Sequence, residues 1–178
     1  MRQEQQLAID ARYSPEDGFR IEGTSKALAA LADALAGKFG ARLDFDPGAR
    51  LSQSPEPYEE FIEGLVVIPG GGPVRIERKQ GTIEVFGAPD KLRILSENVR
   101  GLALEENAGD SHHIHIEYHP DHFFLDQGAE PVVVVLADGA PSESHLPSNE
   151  RKLVECKPTR KLMIMRDAAS GRGQIRPK

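Results

Sequence analysis

The chain has 178 residues, 39% of them hydrophobic, and a formal net charge of −6. This length suits one ordinary domain or two small halves that share a core. The longest uncharged apolar run, at residues 132–137, is too short to span a bilayer, and the first six residues lack the apolar stretch of a signal peptide. The single cysteine, Cys156, excludes an internal disulfide framework. We therefore expect a cytoplasmic protein that has no membrane partner.

Charge is spread unevenly along the chain. Residues 149–178 carry nine Lys or Arg against three Asp or Glu, a net of +6, whereas residues 1–148 carry 13 basic and 25 acidic residues, a net of −12. An acidic body repels nucleic acid and attracts basic proteins. We predict that residues 141–178 form a loop and a basic, partly disordered tail. A tail that contacts nucleic acid or a membrane stays open as an alternative.

The first half alternates apolar and polar residues around turn sequences, then changes to a helical period. The predicted elements are hairpin strands at 7–13 and 19–22, a helix capped by Thr24 or Ser25, and strands at 42–46 and 65–68. The buried stripe of the helix is predicted to contain Leu28, Leu31, Ala32, Leu35 and Phe39. A glycine-rich connector, Pro69–Pro73, ends this half.

The same order of elements recurs after the connector. Hairpin strands at 74–78 and 82–86 precede a helix that begins near Pro89, a strand through the histidines and a strand at 132–136. Gly23, Leu28, Leu31 and Leu35 align with Gly87, Leu92, Leu95 and Val99 at one constant offset. We predict an α+β fold built from a duplicated ββαββ unit, with a mostly antiparallel sheet and one helix per repeat on one face. The repeats are residues 1–69 and 70–140, and together they form one pseudo-symmetric domain.

Five of the six histidines lie within residues 111–122. In an extended strand successive side chains point to opposite faces. One face then carries His113, His115, Glu117 and His119, and the other carries Ile114, Ile116 and Tyr118. The apolar face can be buried, while the polar face is presented to solvent, a partner or a metal.

The residues of the histidine strand alone are consistent with three interpretations. His113, His115 and His119 could bind zinc, with Glu117 or Asp121 as a further ligand. The same face could instead recognise a partner, or simply face solvent. The other candidate motifs are weaker: Gly70–Gly72 does not precede a helix, as a phosphate-binding loop would, and Ser111 and His112 point to opposite faces of a strand. We therefore do not expect an enzyme.

The second half resembles the immunity protein 32 family of bacterial polymorphic toxin systems. The resemblance lies in the strand-to-helix sequence Val85–Arg93, in His113-x-His115 and in the apolar strand Val132–Leu136. It covers about residues 74–138 and, in degraded form, residues 7–69. The first half departs from it, with Arg42 and Asp44 where the second has His115 and Glu117.

The resemblance implies an immunity protein that binds and neutralises a cognate toxin, without a cofactor. An acidic inhibitor suits a basic toxin, because opposite charges steer association. Nucleic acid is not the expected partner. The expected toxin-binding residues are His113, His115, Glu117, His119 and Asp121, together with Glu56, Glu59 and Glu60. The alternative is a metal-binding module or metal-dependent enzyme that uses zinc at His113, His115 and His119.

Overall fold

The computed structural model describes residues 6–105 and 112–137, all of which belong to one compact unit. The predicted loop and basic tail at residues 141–178 lie outside the described residues. Neither described helix is long and apolar enough to cross a membrane.

The described residues form two helices and ten strands, which confirms the α+β class. The helices are α1 (Ser25–Leu35) and α2 (Pro89–Ala103). The strands are β1 (Gln6–Leu7), β2 (Ile9–Ser14), β3 (Gly18–Gly23), β4 (Ala41–Phe45), β5 (Glu60–Phe61), β6 (Gly64–Pro69), β7 (Arg75–Lys79), β8 (Thr82–Gly87), β9 (His113–Ile116) and β10 (Val132–Leu136). A 3₁₀ turn follows β4 at Pro47–Ala49.

Within the described residues the strands form two five-stranded sheets. Sheet A has the order β1-β4-β6-β8-β7, and sheet B has the order β5-β2-β3-β10-β9. Each sheet therefore combines strands from both predicted halves. In sheet A the last strand of the first half, β6, lies parallel to β8 of the second hairpin. In sheet B the last strand of the second half, β10, lies parallel to β3 of the first hairpin.

This exchange of strands makes both sheets mixed, although five of the eight pairings among the described strands are antiparallel, as expected. Three of the eight pairings among the described strands are parallel: β1 with β4, β6 with β8, and β3 with β10. Two of the three arise where a strand of one half joins a strand of the other, and the pattern within one half cannot reveal such a contact. The same order of pairing in both sheets is what a duplicated ββαββ unit predicts, and the duplication itself stays a prediction.

Both helices begin as the sequence predicts. The Thr24 hydroxyl caps α1 by accepting a hydrogen bond from the Ala27 amide, and Pro89 occupies the first turn of α2 together with Asp90. The predicted stripe of α1 is buried as far as Leu35. Phe39 was wrongly included, because the helix ends at Leu35 and leaves this side chain 98% exposed.

The two sheets and the two helices share one core. A small internal cavity of about 20 Å³ is lined by residues from all four, among them Ile21, Val134, Leu65, Val85, Leu31 and Leu95. The helices also pack against each other, and the buried hydroxyl of Ser96 on α2 donates a 2.7 Å hydrogen bond to the Ala32 carbonyl on α1. The outer face of each sheet points away from this core and carries the polar side chains.

Candidate functional site

The first two histidines of the predicted site lie on β9, the last strand of sheet B in the described part of the chain. His113 and His115 are exposed, whereas Ile114 and Ile116 pack against the core. The predicted alternation is therefore confirmed over β9. The two imidazole rings are 4.9 Å apart and meet edge to face, so they form one exposed patch at the side of the sheet.

The histidine strand ends at Ile116 rather than at His119. Residues 117–125 leave the sheet as a segment that we call the histidine turn. In it the His122 amide donates to the His119 carbonyl over 3.0 Å, and Asp121 adopts a left-handed φ of +75°. Pro120, which has no N–H for a ladder hydrogen bond, lies within this segment and prevents it from rejoining the sheet at that position. Glu117, His119 and Asp121 remain exposed, as expected.

His119 joins a different ring cluster from the one on β9. Its ring lies 4.7 Å from the ring of His122, which in turn meets Phe124 edge-on at 4.5 Å. The Nδ1 atom of His122 accepts a hydrogen bond from the Leu125 amide. Burial, together with the neighbouring His119, lowers the pKa of His122. The hydrogen bond from Leu125 and the contact with Phe124 anchor the turn to the body of the protein.

The predicted zinc ligands are consequently split. His113 and His115 pair with each other, while His119 pairs with His122. No group of three His, Cys, Asp or Glu side chains within residues 6–105 and 112–137 could hold a metal ion. A zinc site as predicted would require His119 to leave the histidine turn, and zinc binding stays a prediction.

The histidine turn also displays a residue that the sequence did not single out. Phe123 is 69% exposed, although its neighbour Phe124 is 5% exposed and belongs to the core. The ammonium group of Lys91 on α2 lies 5.8 Å from the centre of the Phe123 ring. In the sequence, the Phe-Phe pair after a polar turn could have indicated that one of the two rings is exposed. The approach of Lys91 could not be predicted from the sequence.

An open groove of about 570 Å³ lies beside Phe123. Its walls come from the start of α2 and from the histidine turn, and they include Ala88, Lys91, Tyr118, His122 and Asp126. Aromatic surfaces with a few charged groups in a concave site are typical of places that bind a partner side chain. The groove and Phe123 therefore extend the histidine patch into a surface with both a projecting ring and a recess.

The three predicted glutamates lie elsewhere. β5, which carries Glu60, is at the opposite edge of sheet B from β9, with three strands between them. At about 4.8 Å per strand the two edges are roughly 19 Å apart. Glu60 is also engaged, because its carboxylate pairs with the guanidinium of Arg78 on β7. Glu56 and Glu59 are exposed in the loop that precedes β5. The predicted single face is therefore corrected to two separate edges.

The outer face of sheet B between these edges is internally paired. Arg12 forms two hydrogen bonds with the buried carboxylate of Asp10, at 2.6 and 3.2 Å, and the hydrogen bond to Asp10 raises the pKa of Arg12. Arg20 pairs in the same way with Glu22 at 2.9 Å. These four charges neutralise one another. Charge that is available to a partner is therefore found at the edges and in the loops.

A family model described as immunity protein 32 matches residues 82–137, about a third of the chain. The matched segment contains β8, α2, β9, the histidine turn and β10. The resemblance predicted from the sequence is confirmed over this segment. No curated protein and no solved structure matches the chain.

Proposed function

We propose that the protein is an immunity protein that binds a cognate toxin and blocks it inside the cell that produces both. The observation that carries this proposal is the family match over residues 82–137. That segment supplies both exposed histidines of β9 and the whole histidine turn. The proposed mechanism is occlusion by tight binding, which needs no chemical step by this chain and no cofactor.

The proposed contact surface is centred on β9 and the histidine turn. It comprises His113, His115, Glu117, His119 and Asp121, with Phe123 as the apolar anchor. Binding energy at protein interfaces is concentrated in a few aromatic or Arg side chains that become buried. The carboxylates around Phe123 would lie at the rim of the interface with the toxin, where charge sets the rate of association. Glu56 and Glu59 would be reached only by a toxin that spans sheet B.

The proposed partner is a basic protein. Residues 1–148 carry a net charge of −12, and the ion pairs on the outer face of sheet B contribute nothing to it. A protein of this charge attracts a basic enzyme over distances of about one Debye length, roughly 8 Å at physiological salt. Inhibition then follows if the projecting ring and its rim cover the active site of the toxin.

Two changes at this surface test the proposal against a catalytically inactive form of the toxin encoded beside the gene. Phe123→Ala is expected to speed dissociation by about 30-fold or more, because it removes a buried anchor. The pair Glu117→Lys and Asp121→Lys is expected to slow association by about tenfold at low salt and by less at high salt, because it reverses the rim charge. Surface plasmon resonance measures both rates.

The control is Glu97→Lys, which reverses one charge on the exposed face of α2, where Glu97 is 67% exposed and pairs with Arg93 at 3.7 Å. Its rates should stay within about twofold of the wild type, since exposed ion pairs contribute little. Rates that are unchanged in all three variants would refute the proposed contact surface. Slower association in a Glu56→Lys and Glu59→Lys protein would show that the toxin also reaches the β5 edge.

A further inference from the structure

A second surface, on sheet A, carries exposed apolar side chains that the proposed toxin contact does not use. Ile68 on β6 and Phe86 on β8 are directly opposite each other in the parallel ladder and are 39% and 40% exposed. Phe39 lies near the same end of the sheet, since Ala41, two residues further on, pairs with Val67 on β6. Large side chains of this kind are normal when scattered, whereas a cluster indicates an interaction surface.

Phe86 is held in place on this surface. A Cβ atom at Gly70 would collide with the Phe86 ring, so the ring lies directly on the backbone of the connector. A side chain that is already ordered loses little conformational entropy when a partner covers it. The Ile68–Phe86 pair therefore has the properties of a pre-organised contact.

The charges around this pair balance. On one side Arg42 pairs with Asp44 at 3.3 Å. On the other side Arg75 pairs with Glu77 at 2.9 Å and Lys79 pairs with Glu84 at 3.0 Å. The outer face of sheet A is thus neutral in a chain whose net charge is −6. A basic toxin gains no local electrostatic attraction here, and a second copy meets no local excess of like charge at this face.

The strand register makes the edge strands of this face, β4 and β7, complementary in charge. One level across the sheet contains Arg42, Val66, Glu84 and Glu77, and the next contains Asp44, Gly64, Thr82 and Lys79. A second copy can be placed face to face by a twofold axis that runs parallel to the strands, between β6 and β8. This axis puts β4 of one copy opposite β7 of the other, and residues of the same level stay opposite each other. Arg42 of one copy then faces Glu77 of the other, and Asp44 faces Lys79. At the level of the apolar pair, Ile68 faces Phe86.

We infer that the outer face of sheet A is a self-association surface on which a second copy of this chain packs around the Ile68–Phe86 pair. Twofold contacts of this kind use one patch on both copies. A five-stranded face measures roughly 20 Å on each side, so a dimer buries about 800 Å² in total, which is below the size of a stable specific interface and typical of weak, transient contacts. The dimer is therefore weak, with a dissociation constant on the order of 10 μM.

Sedimentation equilibrium of the full chain without toxin tests this inference, so its outcome does not depend on the proposed function. The wild type is expected to fit a monomer–dimer equilibrium. Arg42→Glu and Glu77→Arg are each expected to weaken association at least tenfold, because like charges then face each other twice in every dimer. Both side chains are largely exposed, at 66% and 40%, so neither change threatens the fold.

The decisive sample is a mixture of the two single variants. In a mixed dimer, Glu at position 42 of one copy faces Arg at position 77 of the other, while the native Arg42 faces the native Glu77. Association should return to near the wild-type strength in the mixture.

The control Arg93→Glu, on the exposed face of α2 at 68% exposure, should leave the dimer unchanged. A chain that is monomeric at about 200 μM, a dimer that neither variant weakens, or two variants that fail to associate on mixing would each overturn the inference. So would a loss of toxin affinity in Arg42→Glu, since the face would then belong to the toxin.

Discussion

A fragment of residues 74–137 is expected to show no cooperative unfolding transition when it is expressed alone. It contains most of the second predicted half and all of the family match, but neither of its sheets would be complete. β10 would lose β3, against which five of its residues are in register, and β8 would lose β6, with six residues in register. The apolar faces of these strands would be left in water, and a chain of this size has little other core to offset the loss. Circular dichroism during a thermal scan measures the transition.

Its control is the complementary fragment of residues 1–73. Neither piece should melt cooperatively alone, and an equimolar mixture should recover the transition of the intact chain. The connector supports such a cut, because a Cβ atom at Gly71 or Gly72 would meet nothing within 4 Å. A cooperative transition in the isolated 74–137 fragment would mean that the second half builds its own sheet and that the exchange of strands is wrong.

Asp10→Ala is expected to lower the free energy of unfolding by about 3 kcal/mol. The Asp10 side chain is 3% exposed and binds the Arg12 guanidinium, which is 13% exposed, as well as the Leu51 amide. Removal of one partner from a buried ion pair leaves the other charge buried without compensation. The loop amide of Leu51 loses its acceptor at the same time. Urea denaturation followed by circular dichroism gives the value.

Asp44→Ala is the matched control for this change. Asp44 makes the same pairing two residues from an arginine, on β4, but Arg42 and Asp44 are 66% and 33% exposed. Exposed ion pairs contribute about 0–1 kcal/mol, so we expect a loss of less than 1 kcal/mol. An equal loss in both variants would show that burial does not set the strength of the Asp10–Arg12 pair.

The individual strands and helices of the fold could be predicted from the sequence. Alternation placed β2, β3, β7 and β8, and the helical period with Thr24 and Pro89 placed both helices. The order of strands in the sheets could not be predicted in this way. Pairing between β3 and β10 joins residues more than 100 positions apart. The local pattern of either strand does not indicate which strand it pairs with. Phe39 shows the same limit at a helix end, where periodicity continued after the backbone had turned.

The site was predicted for the residues that stay within one strand. His113 and His115 are exposed on β9 as the alternation required. His119 lies outside the strand, which ends at Ile116, and its neighbour, His122, depends on a turn with a left-handed residue at Asp121. Glu60 was counted as available, yet it pairs with Arg78 from the other sheet. A local turn decided the first case and a contact between sheets decided the second, and neither follows from the alternation of residues along one strand.

Co-expression with the toxin encoded beside the gene tests the claim that this chain neutralises a toxin by binding it. Cells killed by the toxin alone should grow again, the two proteins should copurify as a stable complex, and the complex should contain no stoichiometric metal. Phe123→Ala should restore growth less well than the wild type. Continued killing in the presence of folded protein, with no complex recovered, would contradict the claim. Stoichiometric zinc in a protein without a partner would contradict it as well and would point to the metal-binding alternative.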